Sequence, residues 1–132
     1  MSFPDEPFSR HVDVVPYRET WAHEGSLLVA TLRELLPDCL SVEHIGSTSV
    51  PGLSAKDCID VMVQVRDLDE FDVATLLELQ RYRRRPERWN HEETSYGVAD
   101  RKLVFAPPVG ARSCNIHVRE HGGQNVRYAT CP

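Results

Sequence analysis

The sequence predicts a single domain of the α/β or α+β class, in which a mixed β-sheet packs its apolar side against helices. Two segments carry that prediction. Residues 18–36 repeat apolar side chains at helical spacing, and residues 58–65 (CIDVMVQV) form an apolar, β-branched run that is typical of a central strand. The length of 132 residues fits one domain. We therefore expect an N-terminal arm over 1–15 and one domain over 16–132.

The other elements follow from local patterns. Pro37 ends the first helix, and residues 40–46 alternate as a first strand that leads into a loop rich in hydroxyl side chains. A second helix is predicted over 68–79, and residues 86–100 are expected to form a polar loop. Three more strands complete the sheet: an edge strand at 81–85 and two late strands at 102–105 and 113–119.

Composition narrows the classes of partner. The net charge of −5 argues against general nucleic-acid binding, because a phosphate backbone requires a basic surface. No apolar run approaches the roughly 20 residues of a membrane span, and the N-terminus lacks the apolar core of a signal peptide. We therefore expect a cytoplasmic protein with no membrane segment. The cysteines form no CxxC pair and are interpreted as reduced core thiols: Cys39, Cys58, Cys114 and Cys131.

Strand alternation predicts which polar side chains share a side of the sheet. Asp60 is the charged member of one side of the central strand, and His44 shares a side of the first strand with Gly46. If the polar sides of the three main strands align, five side chains converge on one sheet face: His44, Asp60, Asn115, His117 and Arg119.

Asp60 stands in the middle of an apolar strand, where an unpaired carboxylate is costly to bury. One interpretation is a functional group that holds a metal or orients a substrate. The other is structural, with Asp60 paired to Lys56 or hydrogen-bonded to the loop after the first strand. His44 and His117, taken singly, are typical of hydrogen-bonded structural histidines. With Asp60 between them, a role in proton transfer or binding becomes as strong an interpretation as the structural one.

Gly46, Ser47, Thr48 and Ser49 follow the first strand directly. Glycine allows a ligand to approach the backbone, and successive N–H groups and hydroxyls can hold a phosphate. Lys56, at the end of the loop, is in a position to neutralise phosphate charge. An ordinary surface turn is the other interpretation of a Gly-Ser pair.

A basic cluster follows the second predicted helix. It is interpreted as a solvated edge of the sheet, with phosphate or RNA binding as the alternative. Its members are Arg81, Arg83, Arg84, Arg85 and Arg88.

A longer motif joins these features. Residues 44–53 read HIGSTSVPGL, residues 55–56 read AK, and residues 59–61 read IDV. This pattern resembles the signature of the GrpB family. The NIHV run at 115–118 is similar to a late strand of that family, so the resemblance covers roughly residues 16–121.

The resemblance implies a nucleotidyltransferase-like fold with helices mainly on one face of the sheet. In that superfamily a Gly-Ser turn holds the triphosphate, and carboxylates in an Asp-x-Asp pattern hold a divalent metal. With the strand facing, it implies a site of three parts: Asp60, His44 and His117 for catalysis; Gly46, Ser47, Thr48, Ser49, Lys56, Asn115 and Arg119 for the phosphorylated ligand; and Asp60 for a metal.

This chain also departs from the superfamily pattern. Asp60 alone matches the carboxylate pair, because Cys58 and Met62 occupy the positions two residues away. Asp57 replaces the Pro that the family pattern has, and a regular strand would turn it to the opposite face. The C-terminal part is expected to be shorter than in the family. A divalent ion (Mg, Mn or Zn) is therefore expected only together with a ligand.

Three functions remain open at this point. The first is a transferase-like enzyme that acts on a nucleotide or another phosphorylated small molecule. The second is a non-catalytic module that binds a nucleotide or a coenzyme A-type ligand. The third is a different small-molecule reaction that uses His44, Asp60 and His117 without a nucleotide. A single in-line carboxylate favours binding or non-standard chemistry over ordinary two-carboxylate transfer.

Overall fold

The computed structural model describes residues 13–68, 72–86, 92–95 and 98–120. Two helices and eight strands occur in this part of the chain, together with a 3-10 turn at Ser47–Ser49. The helices are α1 (Thr20–Leu35) and α2 (Val73–Leu79). The strands are β1 (Val14–Val15), β2 (Ser41–Ile45), β3 (Ala55–Lys56), β4 (Ile59–Val65), β5 (Arg83–Arg84), β6 (Glu92–Ser95), β7 (Val98–Ala106) and β8 (Cys114–Glu120).

Six strands form the main sheet in the order β2-β4-β8-β7-β5, with β6 paired to β7 beside this path. β4 and β8 run parallel, and the other pairs of this sheet are antiparallel. β1 and β3 make a separate two-stranded sheet. The predicted mixed sheet is confirmed, and so is the prediction that the strands at 40–46, 58–65 and 113–119 are neighbours.

One side of the main sheet, the helix face, carries the apolar core. β4 contributes its odd-numbered side chains to that core, and β8 contributes its even-numbered ones. Both helices pack on this face, since the same cluster contains side chains from α1 and α2. The core members with no exposed surface are Trp21, Leu32, Leu36, Val61, Val63, Val65, Leu77, Phe105, Ile116 and Val118.

α1 begins and ends close to the predicted bounds. Trp21 and Leu32 lie on the side of α1 that faces the sheet and are buried, while Leu27 lies on the outer side and is 56% exposed. This division is expected for an amphipathic helix. Leu36 closes the helix with a backbone hydrogen bond to Leu32, and Pro37 follows directly. The opposite side of the sheet, the polar face, is defined by Asp60, Asn115, His117 and Arg119.

Some boundaries differ from the prediction. α2 is shorter than 68–79: Leu68 lies in a turn, and residues 69–71 lie outside the described residues. The predicted loop over 86–100 is wrong at 92–95 and 98–100, where β6 pairs with the start of β7. Backbone hydrogen bonds hold an antiparallel pair, so polar residues form it without a strong apolar alternation.

The short strands β1 and β3 also lie where an arm and a loop were expected. The predictions for residues 1–12 and for the tail at 121–132 lie outside the described residues. Among the thiols that the structure describes, Cys58 and Cys114 are free and buried, and Cys39 is free and half-buried. Cys131 lies outside this part. In the described ranges, neither helix combines the length and the apolar character that a membrane crossing demands.

Candidate functional site

Asp60 is the centre of a hydrogen-bonded group on the polar face. The parallel pairing of β4 with β8 sets Asn115 directly beside Asp60. Asn115 donates from Nδ2 to Asp60 Oδ1 at 3.3 Å, and His117 Nε2 lies 3.1 Å from the same oxygen. The Asp60 side chain is 30% exposed and that of His117 is 17% exposed, so both are accessible. The three residues meet on one face, as the strand alternation predicts.

Lys102 of β7 extends this group. Its Nζ lies 3.4 Å from His117 Nδ1. Because an ammonium can only donate, this contact fits the tautomer in which Nδ1 accepts from Lys102 and Nε2 donates to Asp60. Lys102 is buried, and it pairs with Arg119 in the β7–β8 register. Lys102 was not among the predicted site residues. The pattern that could have identified it is its alternation with Val104 in β7, which turns both side chains to the polar face.

Arg85 is a second residue whose environment differs from the prediction. Its Nε donates to Asn115 Oδ1 at 2.9 Å, which orients the amide so that Nδ2 points to Asp60. The interpretation of a solvated basic edge holds for Arg84, which is exposed, and is wrong for Arg85, which is 4% exposed. Arg119 lies on the polar face two residues beyond His117, opposite Gln64.

The Gly46 turn lies against the carboxylate of Asp60. Gly46 has φ of 76°, and a Cβ added there would lie 3.2 Å from Asp60 Oδ2. The positive φ strongly favours glycine here, and the close approach to Asp60 leaves little room for a larger residue. The turn is closed by Ser49, whose N–H and Oγ both donate to the Gly46 carbonyl, at 3.0 and 2.6 Å. Gly46, Ser47 and Ser49 are exposed, while Thr48 is buried.

The structure places His44 on the helix face, away from the polar face. In the β2–β4 register His44 pairs with Val61, and Ile45 pairs with Asp60. The prediction that His44 converges with Asp60 on one sheet face is therefore wrong. Alternation within β2 decides which residues share a side, but the register with β4 decides which side that is. The ring of His44 lies against Gly25 of α1, and its Nε2 is 2.9 Å from Thr48 Oγ1.

Two groups near the turn have shifted pKa values. Burial lowers the pKa of His44 from its usual 6.5, and the negative charge of Asp60 opposes that shift. Burial raises the pKa of the Cys58 thiol, which the positive charge of Lys56 opposes. Lys56 itself is exposed at the end of the loop, and Cys58 contacts Asn115 Nδ2 at 3.5 Å. Lys56 therefore acts electrostatically on Cys58, which in turn contacts Asn115 of the Asp60 group.

Asp57 belongs to a different group, on the side of α1. Its carboxylate accepts a hydrogen bond from Trp21 Nε1 at 2.8 Å and one from Arg18 at 3.0 Å, and it forms an ion pair with Arg112. Arg112 also pairs with Glu24 of α1. Burial alone would raise the pKa of Asp57, but these hydrogen bonds and positive charges lower it. Asp57 thus links three segments and does not join Asp60 as a second carboxylate.

The described part of the chain holds no group of three or more His, Cys, Asp or Glu side chains arranged to bind a metal ion. Asp60 is the one predicted metal ligand. One of its oxygens accepts two hydrogen bonds and the other faces the Gly46 turn.

The fold is nucleotidyltransferase-like. The Cid1 poly(U) polymerase structure shares this fold, with a TM-score of 0.54 at 12% sequence identity over 88% of this chain and 34% of that chain. A crystal structure of GrpB from Enterococcus faecalis is more similar, with a TM-score of 0.66 at 27% identity over 88% of this chain and 65% of that chain.

The family model described as GrpB protein matches residues 11–131, so the chain belongs to the GrpB family. The UPF0157 protein BH1888 of Halalkalibacterium halodurans is 34% identical over 126 residues, which cover 92% of this chain and 58% of that protein. A dephospho-CoA kinase of Mycobacterium tuberculosis is 29% identical over 134 residues, covering 88% of this chain and 33% of the kinase. The chain thus spans between about a third and three-fifths of the curated relatives it matches.

Proposed function

We propose that this domain binds a nucleotide or another phosphorylated small molecule at the Gly46 turn and Asp60, and that it acts as a transferase on that ligand. The observation that carries the proposal is the contact between the turn and the carboxylate. A Cβ built on Gly46 would lie 3.2 Å from Asp60 Oδ2, so the turn lies directly beside this oxygen. A phosphate held by the turn would thereby lie next to the carboxylate.

The roles follow from exposure and charge. Ser47 is exposed on the turn, so its N–H and hydroxyl groups can face phosphate oxygens. Ser49 is also exposed, but its N–H and hydroxyl already donate to the Gly46 carbonyl, so it would bind phosphate only by giving up one of these bonds. The exposed ammonium of Lys56 supplies positive charge. His117 already donates to Asp60 and is held by Lys102, which suits it to move a proton to or from a bound ligand. Half-buried Asn115 extends the polar surface for the rest of the ligand, while Arg119, which is 5% exposed, would act on it from beneath that surface through its positive charge.

A divalent ion enters this proposal only with the ligand. Mg²⁺ is usually held by one or two carboxylates plus substrate phosphates, and Asp60 offers one carboxylate. Asp60 would therefore share the ion with phosphate oxygens, and the ion would neutralise charge on the phosphate. A preference for Mn²⁺ or Zn²⁺ over Mg²⁺ would require a ring nitrogen of His117 to leave its present partner, Asp60 or Lys102, because a softer metal is selected only by an imidazole that binds it.

A non-catalytic binding module is the second candidate. The engagement of Asp60 Oδ1 by both Asn115 and His117 favours it, because that oxygen is already satisfied. The similarity to dephospho-CoA kinases makes a coenzyme A-type ligand the first to test. The third candidate, a reaction without a nucleotide, would rely on Asp60 and His117, because His44 lies on the helix face.

The turn is tested with Lys56→Ala. A thermal-shift screen of nucleoside triphosphates, coenzyme A and dephospho-coenzyme A with magnesium identifies the ligand, and calorimetry then measures its affinity. We expect Lys56→Ala to weaken binding by about 1.5–3 kcal/mol, since a charged hydrogen bond is lost. Arg84→Ala is the matched control, because Arg84 is also an exposed cation but lies on the edge strand. Equal affinity of the Lys56→Ala and wild-type proteins would contradict the assignment.

The metal is tested by titrating Mg²⁺, Mn²⁺ and Zn²⁺ into wild type and Asp60→Asn, with and without the ligand. We expect no tight Mg²⁺ site in the ligand-free protein, because one carboxylate supplies too little charge. With ligand, the ion should strengthen binding to wild type and not to Asp60→Asn. A micromolar Mg²⁺ site in the free wild type would refute the proposed role. Metal-independent affinity together with a less stable Asp60→Asn would point to a structural carboxylate.

A further inference from the structure

His44 is fixed between β2 and α1 by a close approach to Gly25. A Cβ at residue 25 would lie 2.7 Å from both Cγ and Cε1 of the His44 ring, so a side chain there would displace the ring. Glycine in a helix interior costs about 1 kcal/mol relative to alanine. The absent side chain at residue 25 is therefore what admits the imidazole to the helix face.

The His44 ring also contacts the Gly46 turn, through Thr48. Its Nε2 lies 2.9 Å from the hydroxyl of Thr48. Thr48 is 3% exposed, whereas its neighbours Ser47 and Ser49 are exposed. The turn therefore presents its outer residues to solvent and is anchored through Thr48. The partner of Thr48 in this anchor is the His44 ring, which packs against Gly25 of α1.

We propose that His44 is a positioning residue for the turn: it acts through Thr48 and does not touch the ligand. The inference rests on the proposed function for the identity of that ligand. A bound phosphate needs its donors held in one arrangement, and a turn ordered in advance loses less entropy on binding. His44 thereby connects the docking of α1 to the geometry of the surface that faces Asp60.

The test uses Mg²⁺-tripolyphosphate as the probe. Thr48→Val removes the hydroxyl and keeps the shape, His44→Phe keeps a ring and removes Nε2, and the double variant combines both. We expect each single change to weaken probe binding about five- to tenfold, the equivalent of one hydrogen bond. The double variant should be no weaker than either single one, because both changes remove the same contact. Thr48→Ser should bind within about threefold of wild type.

Additive losses in the double variant, or wild-type affinity in Thr48→Val, would overturn the proposal. Thr31→Val is the matched control, since the Thr31 hydroxyl donates only within α1, to the carbonyl of Leu27. If a variant fails to fold, the comparison of Thr48→Val with Thr48→Ser decides the matter, because these two differ least from wild type.

A second readout separates this inference from the proposed function. Amide hydrogen exchange at Ser49 and Val50 reports opening of the turn, since both N–H groups close it. If the wild type does not bind the probe, the proposed function fails at this site. His44 is then still supported if Thr48→Val speeds exchange at these amides without a change in Tm. Unchanged exchange would refute it.

Discussion

The two faces of the sheet are built from the same strands and differ in what they bury. β8 supplies Ile116 and Val118 to the helix face, both without exposed surface, and Asn115 and His117 to the polar face, both partly exposed. The helix face gains stability from apolar area removed from water. The polar face holds groups that must be hydrogen-bonded to one another to be tolerated. Neighbouring positions along one strand therefore affect different properties of the protein.

The polar face is not exposed to solvent over its whole area. Met62 and Val104 lie on it and have almost no exposed surface, at 0% and 2%. Lys102 beside them is also buried. When the hydrogen-bond partner of a polar group is removed, the cost in free energy is larger in such buried surroundings than in water. The chain Lys102–His117–Asp60 is therefore expected to be rigid, which suits a site that must hold one geometry.

The largest expected effect comes from adjacent residues on opposite faces. Ile116→Ala should lower the free energy of unfolding by about 2–5 kcal/mol, because it opens a cavity in the core. His117→Gln should lower it by about 0.5–1.5 kcal/mol, the value of one hydrogen bond, while it weakens ligand binding. Urea denaturation measures the free energy of unfolding of both variants, and calorimetry measures their ligand affinity. Similar losses of stability for both would contradict the division between the faces.

Gly25→Ala tests the proposed connection between the helix face and the Gly46 turn through His44. Helix propensity favours alanine by about 1 kcal/mol, but the overlap with His44 is expected to cost about 1–3 kcal/mol. We therefore expect a net loss of stability, together with weaker binding at the turn. Ser26→Ala is the control, because residue 26 is exposed on the same helix and gains propensity without a clash. A stabilised Gly25→Ala protein would show that the ring of His44 moves freely.

The smallest effect is expected at Asp57, at acid pH. Its pKa in the folded protein lies below the ordinary 3.8, so the ionised carboxylate stabilises the fold above about pH 4. That contribution is lost as the pH falls through the lowered pKa. Asp57→Asn lacks it, so its unfolding free energy should decline less than that of wild type between about pH 5 and pH 2. Urea denaturation across this range measures the difference; parallel curves would assign Asp57 no such role.

Much of the fold follows from local patterns. The helical repeat of 18–36 and the β-branched run of 58–65 are strong enough to identify α1 and β4. Gly46 and Asp60 are identified as site candidates by their residue types alone, since a glycine turn and a carboxylate in an apolar strand both demand an explanation. The hairpin of β6 and β7 and the pair β1–β3 were missed, because backbone pairing decides them more than side-chain pattern.

The sequence by itself determined the alternation within each strand, because covalent geometry sends successive side chains to opposite sides. Asp60 and His117 met as predicted because their strands are both central and their polar positions are unambiguous. Only the tertiary structure decided that His44 faces α1, that Lys102 reaches His117, and that Arg85 orients Asn115. These three depend on the register between strands, and a shift of one residue moves every side chain of a strand to the other face.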